Sequence, residues 1–128
     1  MEYPDNLLYS EEHEWVSVDG TRARIGITDF AQDALGDVVY VEMPNVGSTI
    51  RASASCAEVE STKAVSDVFS PVSGTVATVN ESLAETPEQL NQAPYAAGWI
   101  CEVEMSDPAE LDALMDASAY RAFAEGGS

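Results

Sequence analysis

Two short runs of alternating residues meet at a turn in the middle of the chain, and they constrain the fold more than any other feature. In the first run, Ala57, Val59 and Ser61 alternate with charged or polar residues, and residues 64–69 alternate in the same way after the turn. Successive side chains of a β-strand point to opposite faces of the sheet, so each run is typical of a half-buried strand. The pattern predicts a β-hairpin around residues 56–70.

Further strand-like runs lie on both sides of this hairpin. They span residues 15–18, 21–27, 37–43 and 99–105. Between the first two runs, Asp19-Gly20 suits a tight reversal because glycine accepts positive φ. In the third run, the alternation predicts that Val39, Val41 and Met43 face the core. A meander of β-structure is therefore expected.

Three segments carry helix signals. Thr28 as the N-cap and Gly36 as the stop predict a short helix between them. A capping box at residues 86–89 predicts another short helix. Asp107, which precedes a proline, begins a C-terminal helical segment of about 107–125 that can cover the sheet. The predicted fold is mainly β, with short helices and a C-terminal helix.

The length and composition fit one globular domain over residues 1–128. A chain of 128 residues has a common domain size and can bury one core. The hydrophobic fraction of 45% and the charged fraction of 22% are both ordinary for a globular protein. We therefore expect a single domain.

The charge of the chain is strongly one-sided. Its 23 acidic residues against five basic ones give a formal net charge of −18. Such a field repels nucleic-acid phosphates and anionic lipids, and it favours partners with basic surfaces. The first residues also lack a signal-peptide pattern, and no later run is long enough to span a bilayer. We expect a cytoplasmic protein that binds neither nucleic acid nor membranes.

Lys63 stands at the tip of the predicted hairpin and is the only lysine in the chain. Acylation of a lysine exchanges a compact charge for a neutral, amide-linked arm, so a unique amine on a projecting turn is a candidate attachment point. The alternative is an ordinary solvated lysine, since exposed lysines are common. Position and uniqueness alone leave both interpretations open.

Two similar turns lie on either side of Lys63. Pro44-Asn45-Val46-Gly47 and Pro71-Val72-Ser73-Gly74 share the pattern P-x-x-G, in which proline presets φ and glycine permits a reversal. We expect Gly47 and Gly74 to serve turns. Their spacing suggests two half-sheets related by an approximate two-fold, joined by the hairpin that carries Lys63.

The residues with nucleophilic or metal-binding chemistry are few. Cys56 and Cys101 have neither disulfide-framework nor zinc-site spacing, and we expect reduced thiols with Cys101 in the core. The Cys56 thiol could exchange with a disulfide or be inert, and the inert thiol is favoured. His13, the only histidine, is the one available base for either cysteine, and a surface packing role is favoured for it. We predict no catalytic residue and no metal site.

The order of several blocks resembles the H protein family of the glycine cleavage system, which carries lipoic acid. The blocks are 13–16 (HEWV), 26–32 (GITDFAQ), 35–42 (LGDVVYVE), 58–67 (EVESTKAVSD), 70–74 (SPVSG), 79–81 (VNE), 90–91 (LN), 94–95 (PY) and 98–100 (GWI). The resemblance covers nearly the whole chain. It implies a flattened β-barrel, or barrel-sandwich hybrid of the lipoyl-domain type, made of two small sheets.

The resemblance also implies a function. Lys63 would receive lipoic acid in amide linkage, and the dithiolane would carry the aminomethyl group of glycine. The partners would be a pyridoxal-phosphate glycine decarboxylase (P protein), a tetrahydrofolate-dependent aminomethyltransferase (T protein), a dihydrolipoamide dehydrogenase (L protein) and a lipoate-attaching enzyme. Glu60 and Asp67 would offer that last enzyme charges to recognise, or would be ordinary solvated strand residues. The chain would be a non-catalytic carrier.

Other carriers share a hairpin lysine. An H-like relay that supplies lipoate to other enzymes fits the same sequence. A biotin carrier usually has methionines beside its lysine, where this chain has Thr62 and Ala64. A lipoyl domain of a 2-oxoacid dehydrogenase usually has aspartate before the lysine, together with flexible linkers. We therefore expect the glycine cleavage carrier, with the relay as the alternative and the biotin carrier behind it.

Overall fold

The computed structural model describes residues 1–126, and Gly127 and Ser128 lie outside the described residues. Nine strands form in the described part of the chain. They are β1 (Leu8–Tyr9), β2 (Glu14–Asp19), β3 (Arg22–Ile27), β4 (Val38–Glu42), β5 (Thr49–Ile50), β6 (Ser55–Ser61), β7 (Val65–Phe69), β8 (Gly74–Val79) and β9 (Cys101–Met105).

The strands form two antiparallel sheets of unequal size. The larger sheet has the order β1-β2-β3-β9-β8-β5, and the smaller one has the order β4-β6-β7. This arrangement confirms a mainly β fold of two sheets and is compatible with the flattened barrel-sandwich that was predicted. Both strands of the lysine hairpin pair with each other in the smaller sheet, so the hairpin does not join one sheet to the other.

The main core lies where the two sheets face each other. Val16, Ile25 and Val103 from the larger sheet are buried with Val59 and Val68 from the smaller one. Burying a side chain of this size contributes roughly 1.5–3 kcal/mol relative to leaving it in water. The apolar positions of the alternating runs therefore hold the two sheets together.

A second, aromatic cluster attaches the C-terminal helix to the larger sheet. The ring of Tyr120 stacks on Tyr9 with 4.7 Å between ring centroids, and Tyr3 meets Tyr120 edge to face. Trp15 of β2 belongs to the same buried cluster. Offset and edge-to-face aromatic pairs add stability beyond the area that they bury. The C-terminal helix is thus fixed by aromatic side chains.

The β4 strand corrects one sequence expectation. A bulge between Val38 and Tyr40 places an extra residue in the strand, and a bulge of this kind shifts the alternation of side chains. Val38 and Val41 are therefore buried, whereas Val39 is 49% exposed. Met43 lies beyond the end of the strand and is half-buried. The predicted inward positions were right for Val41 and wrong for Val39.

The first helix, α1 (Asp29–Leu35), begins and ends as predicted. The Thr28 hydroxyl accepts a hydrogen bond from the Ala31 amide at 3.2 Å, and Gly36 donates its amide to the Gln32 carbonyl at 3.0 Å. Thr28 thereby satisfies an amide that has no partner inside the helix. Only Gly36 and Asp37 separate the helix from the strand that carries the bulge.

The next two helices, α2 (Ser82–Glu85) and α3 (Gln89–Gln92), replace the predicted capping box. The Thr86 hydroxyl donates a hydrogen bond to the Ser82 carbonyl at 2.8 Å. Thr86 therefore closes the helix before it, which sequence reasoning missed, and has no capping role for α3. The N-cap of α3 is Glu88, whose side chain makes no capping hydrogen bond. The prediction of a box at residues 86–89 was wrong.

The C-terminal segment is divided into a 3-10 helix (Pro108–Ala113) and α4 (Ala117–Glu125). Asp107 caps the first by accepting from the Ala109 amide, and Asp116 caps the second by accepting from the Ala119 amide. Met115, between them, pairs in an isolated β-bridge with Tyr9, which interrupts helical geometry. Within residues 1–126, none of the helices is both long and apolar enough to cross a membrane.

The two P-x-x-G motifs differ in the role of their glycine. Gly47 lies in a turn with φ of +89°, and its amide donates to the Val76 carbonyl at 2.8 Å. Gly74 instead opens β8, where a Cβ atom would overlap the Glu104 carbonyl of the neighbouring strand. The first glycine serves the expected turn, and the second allows close approach of two strands.

Candidate functional site

Lys63 lies in the turn between β6 and β7, with Thr62 before it and Ala64 after it. The last registered pair below the turn joins Glu60 to Val65. All three turn residues are exposed. The lysine therefore projects from the end of the smaller sheet, as the alternating pattern predicted.

Ser61 gives this turn a fixed shape. Its amide donates to the Ala64 carbonyl at 2.8 Å. Its buried hydroxyl accepts from the Lys63 amide at 3.3 Å and from the Ala64 amide at 3.1 Å. Each such bond contributes about 0.5–1.5 kcal/mol net, and a buried group that loses its partner costs more. Ser61 thus holds the backbone on both sides of the lysine amine.

The turn is also attached to the segment that precedes β4. The Thr62 amide donates to the Asp37 carbonyl at 3.1 Å. The Asn91 side chain fixes that segment in turn, because its Oδ1 accepts from the Val38 amide at 2.9 Å and its Nδ2 donates to the Gly36 carbonyl at 2.8 Å. Asn91 was missed as a site residue, since an amide that bridges distant backbone groups leaves no periodic signal in the sequence.

The Lys63 side chain lies alongside Gly36. A Cβ atom at Gly36 would be 3.3 Å from Lys63 Cε and 3.8 Å from Nζ. The ion pairs of the described residues join Arg22 and Arg24 to glutamates of β9, and none of the carboxylates within residues 1–126 is within 4.0 Å of Lys63 Nζ. The amine is thus supported along its stem and has no salt-bridge partner in this part of the chain.

A cleft of about 200 Å³ lies between the start of β2, helix α1 and the hairpin. Its lining includes apolar side chains (Ile27, Phe30, Leu35 and Val68) and three acidic residues (Glu12, Glu14 and Asp67). Leu35 directly precedes Gly36, so one wall of the cleft adjoins the residue that supports the lysine stem. An apolar wall with acidic groups suits an apolar chain that ends in a cation.

Glu14 is a buried carboxylate in this cleft. Its Oε1 accepts from the Ser10 hydroxyl at 2.5 Å, and its Oε2 accepts from the Phe69 amide at 3.2 Å. Burial raises the pKa of Glu14 to about 7 because desolvation of the charged form outweighs these two hydrogen bonds. Glu14 was not predicted as a site residue, since a single glutamate at a strand start does not reveal its burial.

Asp67 and Glu60 lie on the exposed side of the hairpin. Asp67 accepts a hydrogen bond from the Ser55 hydroxyl at 3.1 Å, which links the two strands far from the turn. Glu60 pairs in register with Tyr40 on one side and Val65 on the other. Both carboxylates are exposed, as expected.

Cys56 and Cys101 are both buried, one in each sheet. The hydrogen bond with the Cys56 thiol and then burial raise the pKa of the Cys101 thiol, which keeps it protonated. Thiols react as thiolates, so the Cys101 thiol is chemically quiet. The structure confirms Cys101 as a core residue and agrees with the inert interpretation of Cys56.

His13 does not meet either cysteine. Its Nδ1 lies 2.8 Å from the Tyr120 hydroxyl, and its ring stacks on Phe30 with 4.7 Å between centroids. Burial lowers the pKa of His13. The histidine thus belongs to the aromatic cluster. Within residues 1–126, no group of three or more histidine, cysteine, aspartate or glutamate side chains is arranged to hold a metal ion.

Comparison with known proteins gives relatives over nearly the full chain. The protein described as "Glycine cleavage system H protein" of Anaeromyxobacter sp. (strain K) is 54% identical over 125 residues, which cover 98% of each chain. The protein of the same name from Brevibacillus brevis is 55% identical over 122 residues, covering 95% of this chain and 97% of that one.

A solved structure and a family profile agree with these relatives. The crystal structure of a glycine cleavage system H protein from Mycobacterium marinum has a TM-score of 0.87 and 39% identity, and the match covers 98% of this chain and 99% of that chain. The family profile described as "Glycine cleavage H-protein" matches residues 7–126. The chain therefore belongs to the glycine cleavage H-protein family.

Proposed function

We propose that this chain is the lipoyl carrier of the glycine cleavage system and that Lys63 holds lipoic acid in amide linkage. The observation that carries the proposal is the placement of the only lysine at a fixed turn, exposed and without a salt-bridge partner in the described chain. Acylation removes a charge that has no partner to lose. The modification therefore breaks no ion pair among the described residues.

The residues around Lys63 fit such a group. The amine supplies the nitrogen of the amide, Ser61 and Asp37 hold the turn at both ends, and Gly36 leaves room for the stem. The attached dithiolane supplies the chemistry that the polypeptide lacks, by accepting and releasing the aminomethyl unit of glycine. The cleft that contains Leu35 and Glu14 offers an apolar wall with carboxylates beside the arm.

The work of the chain itself is presentation. A rigid turn keeps the arm at one end of the sheet, and tethering raises the effective concentration of the carried group at each enzyme. The attached dithiolane would carry the group, so the carrier itself would need no acid, base or nucleophile. We therefore assign it as a non-catalytic component in a single domain over residues 1–128.

The proposed partners follow from the carrier role. They are the P protein (glycine decarboxylase), the T protein (aminomethyltransferase), the L protein (dihydrolipoamide dehydrogenase) and the enzyme that attaches lipoate. The net charge of −18 favours partners with basic contact surfaces. A cytoplasmic location completes the proposal.

Intact-mass spectrometry of protein from its own host, with peptide mapping around residue 63, tests the attachment. We expect the mass of one lipoyl group on Lys63 and none on Lys63→Arg, which keeps the charge and the fold. A biotin adduct, or a lysine that stays unmodified in the host, contradicts the proposal.

A second measurement separates the glycine cleavage role from lipoate relay. The lipoylated protein is mixed with purified P protein, and exchange of labelled carbon dioxide into glycine is followed. We expect exchange that depends on both glycine and the lipoylated chain. Absence of exchange with fully lipoylated protein would leave only the relay interpretation.

A further inference from the structure

The outer face of the smaller sheet has an unusual row of residues beside Lys63. The register pairs Tyr40 with Glu60 and Glu60 with Val65, so these three side chains lie side by side across β4, β6 and β7. Tyr40 is 51% exposed and Val65 is 58% exposed. We call Tyr40, Glu60 and Val65 the tip row.

The tip row is part of a cluster of exposed apolar residues. Among residues 1–126, seven large hydrophobic residues are exposed, and three of them are Val39, Tyr40 and Val65. Single exposed apolar residues are common, whereas several of them at one end of a sheet favour an interaction site. The β4 bulge contributes to the cluster, because it exposes Val39 next to Tyr40. The apolar surface is therefore concentrated at the lysine end of this sheet.

The next row on the same face is entirely acidic. Glu42, Glu58 and Asp67 lie two residues along each strand from the tip row and pair in register with one another. All three are exposed, and none of the residues of β4, β6 or β7 is a lysine or arginine. The face thus changes from apolar with one carboxylate, beside Lys63, to acidic further away.

We propose that this face is the docking surface for the enzyme that attaches the lipoyl group to Lys63, with Tyr40 and Val65 as apolar contacts on either side of Glu60. The contact region of that enzyme is apolar and carries a basic side chain opposite Glu60. The proposal rests on the proposed function, since it presupposes that Lys63 is the modified residue.

The short distance between the turn and the unmodified Lys63 amine indicates which enzyme docks on this face. With a lipoate-activating enzyme that uses ATP, an N–C bond forms between Lys63 Nζ and the activated carboxyl carbon, the C–O bond to AMP breaks, and the amine gives up a proton. The reacting atoms must approach to about 3–3.5 Å. Because only the lysine stem separates Nζ from the turn, the enzyme surface must contact the residues next to the turn. Enzymes that act on the finished arm meet its far end, so they need not contact the residues next to the turn.

Charge identifies the chemistry of the contact. Docking on Tyr40 and Val65 removes water from Glu60 between them, and a desolvated carboxylate needs an opposite charge. The acidic row beyond it lies at the rim, where charges steer encounter and set the salt dependence of association. A basic group within an apolar patch therefore complements this face.

The test is the initial rate of lipoylation of the unmodified full-length protein by a purified lipoate–protein ligase with lipoate, ATP and Mg²⁺. The variants are Tyr40→Thr, Val65→Thr and the double variant, because threonine keeps strand propensity while removing apolar surface. We expect kcat/KM to fall at least tenfold for the double variant. Glu60→Gln should lower kcat/KM and weaken its dependence on salt.

Val46→Thr is the matched control, since Val46 is 62% exposed but lies in the loop after β4. Its kcat/KM should stay within twofold of the parent protein. Circular dichroism and thermal unfolding establish that each variant is folded. Val65→Thr and Glu60→Gln are nearly isosteric and keep the test informative if Tyr40→Thr loses stability.

Three results overturn the proposal, and they differ in what they leave standing. If the parent protein is lipoylated at Lys63 and the folded double variant is lipoylated equally fast, the docking face is wrong and the carrier function stands. If the double variant is lipoylated normally but loses glycine-dependent carbon dioxide exchange, the face belongs to the P protein. If the parent protein is never modified at Lys63, the proposed function fails, and the docking proposal fails with it.

Discussion

The stem of Lys63 lies against Gly36, with 3.3 Å between Lys63 Cε and the position that a Cβ atom at Gly36 would occupy. Gly36 has φ of +82° and ψ of −158°, a conformation that essentially only glycine adopts. The residue that ends α1 therefore also forms the floor under the candidate attachment site. Gly36 therefore has two roles: it adopts a backbone conformation that other residues resist, and its missing side chain leaves space for the lysine stem.

Replacement of Gly36 separates these two roles. We expect Gly36→Ala to lower the free energy of unfolding by about 1–3 kcal/mol through backbone strain. The lysine stem can swing away, so a double-mutant cycle with Lys63→Ala should give a coupling energy below about 0.5 kcal/mol. Urea unfolding of the parent protein, Gly36→Ala, Lys63→Ala and the double variant measures this coupling energy. Gly47→Ala is the control, because its φ is also positive and a Cβ atom there meets nothing within 4 Å. A coupling of several kcal/mol would show that Lys63 is rigidly packed.

The shape of the lysine turn depends on the Ser61 hydroxyl. Ser61→Ala leaves the Lys63 and Ala64 amides without their side-chain acceptor, and we expect a loss of about 1–2 kcal/mol. Hydrogen exchange of the Ala64 amide should accelerate more than that of core amides, because the loss is local. Ser66→Ala serves as the control, since the Ser66 hydroxyl makes only a 3.5 Å contact with the next carbonyl. Unchanged exchange at Ala64 would contradict the role of Ser61.

The position of the lysine could be predicted from sequence because its causes are local. Alternation of Ala57, Val59 and Ser61 fixes which face of the strand is buried, and a two-residue period tolerates little ambiguity. The turn at Lys63 follows from where the alternation stops. The same rule failed at Val39, because a bulge inserts one residue into the strand and leaves no mark on the local pattern.

The surroundings of the lysine could not be predicted, because they come from distant parts of the chain. Asn91 bonds the backbone 53 and 55 residues away, at Val38 and Gly36. Glu14 meets the Phe69 amide across 55 residues. Periodicity describes neighbours along one element, whereas these bonds form only after the sheets pack. The position of the amine could therefore be predicted from the sequence, whereas the residues that support it could be identified only from the structure.

Asn91 offers a test of that support. In Asn91→Asp, a carboxylate replaces the amide group that donates to the Gly36 carbonyl and to Gln32 Oε1. The new carboxylate oxygens then face two other hydrogen-bond acceptors, and we expect the free energy of unfolding to fall by roughly 2–3 kcal/mol at pH 7. Protonation of the new carboxyl restores a donor, so part of the loss should be recovered near pH 4. Asn91→Ala should lose stability without this pH dependence. Urea unfolding at pH 4 and pH 7 measures these losses. If Asn91→Asp loses the same stability relative to the parent at both pH values, the bridging role is contradicted.

Glu14 should make the stability of the protein depend on pH near neutrality. Because the folded pKa is raised to about 7, the folded state keeps a proton that the unfolded state releases above its ordinary value of 4.5. The contribution of Glu14 to the free energy of unfolding therefore falls as the pH rises from 4.5 to about 7, by at most roughly 3 kcal/mol. Glu14→Gln carries no titrating proton, so its stability relative to the parent should increase from pH 5 to pH 8. Glu58→Gln, on the exposed face of β6, serves as the control. Urea unfolding across this range measures the difference, and parallel pH profiles for the parent and Glu14→Gln would show that Glu14 titrates as an exposed carboxylate.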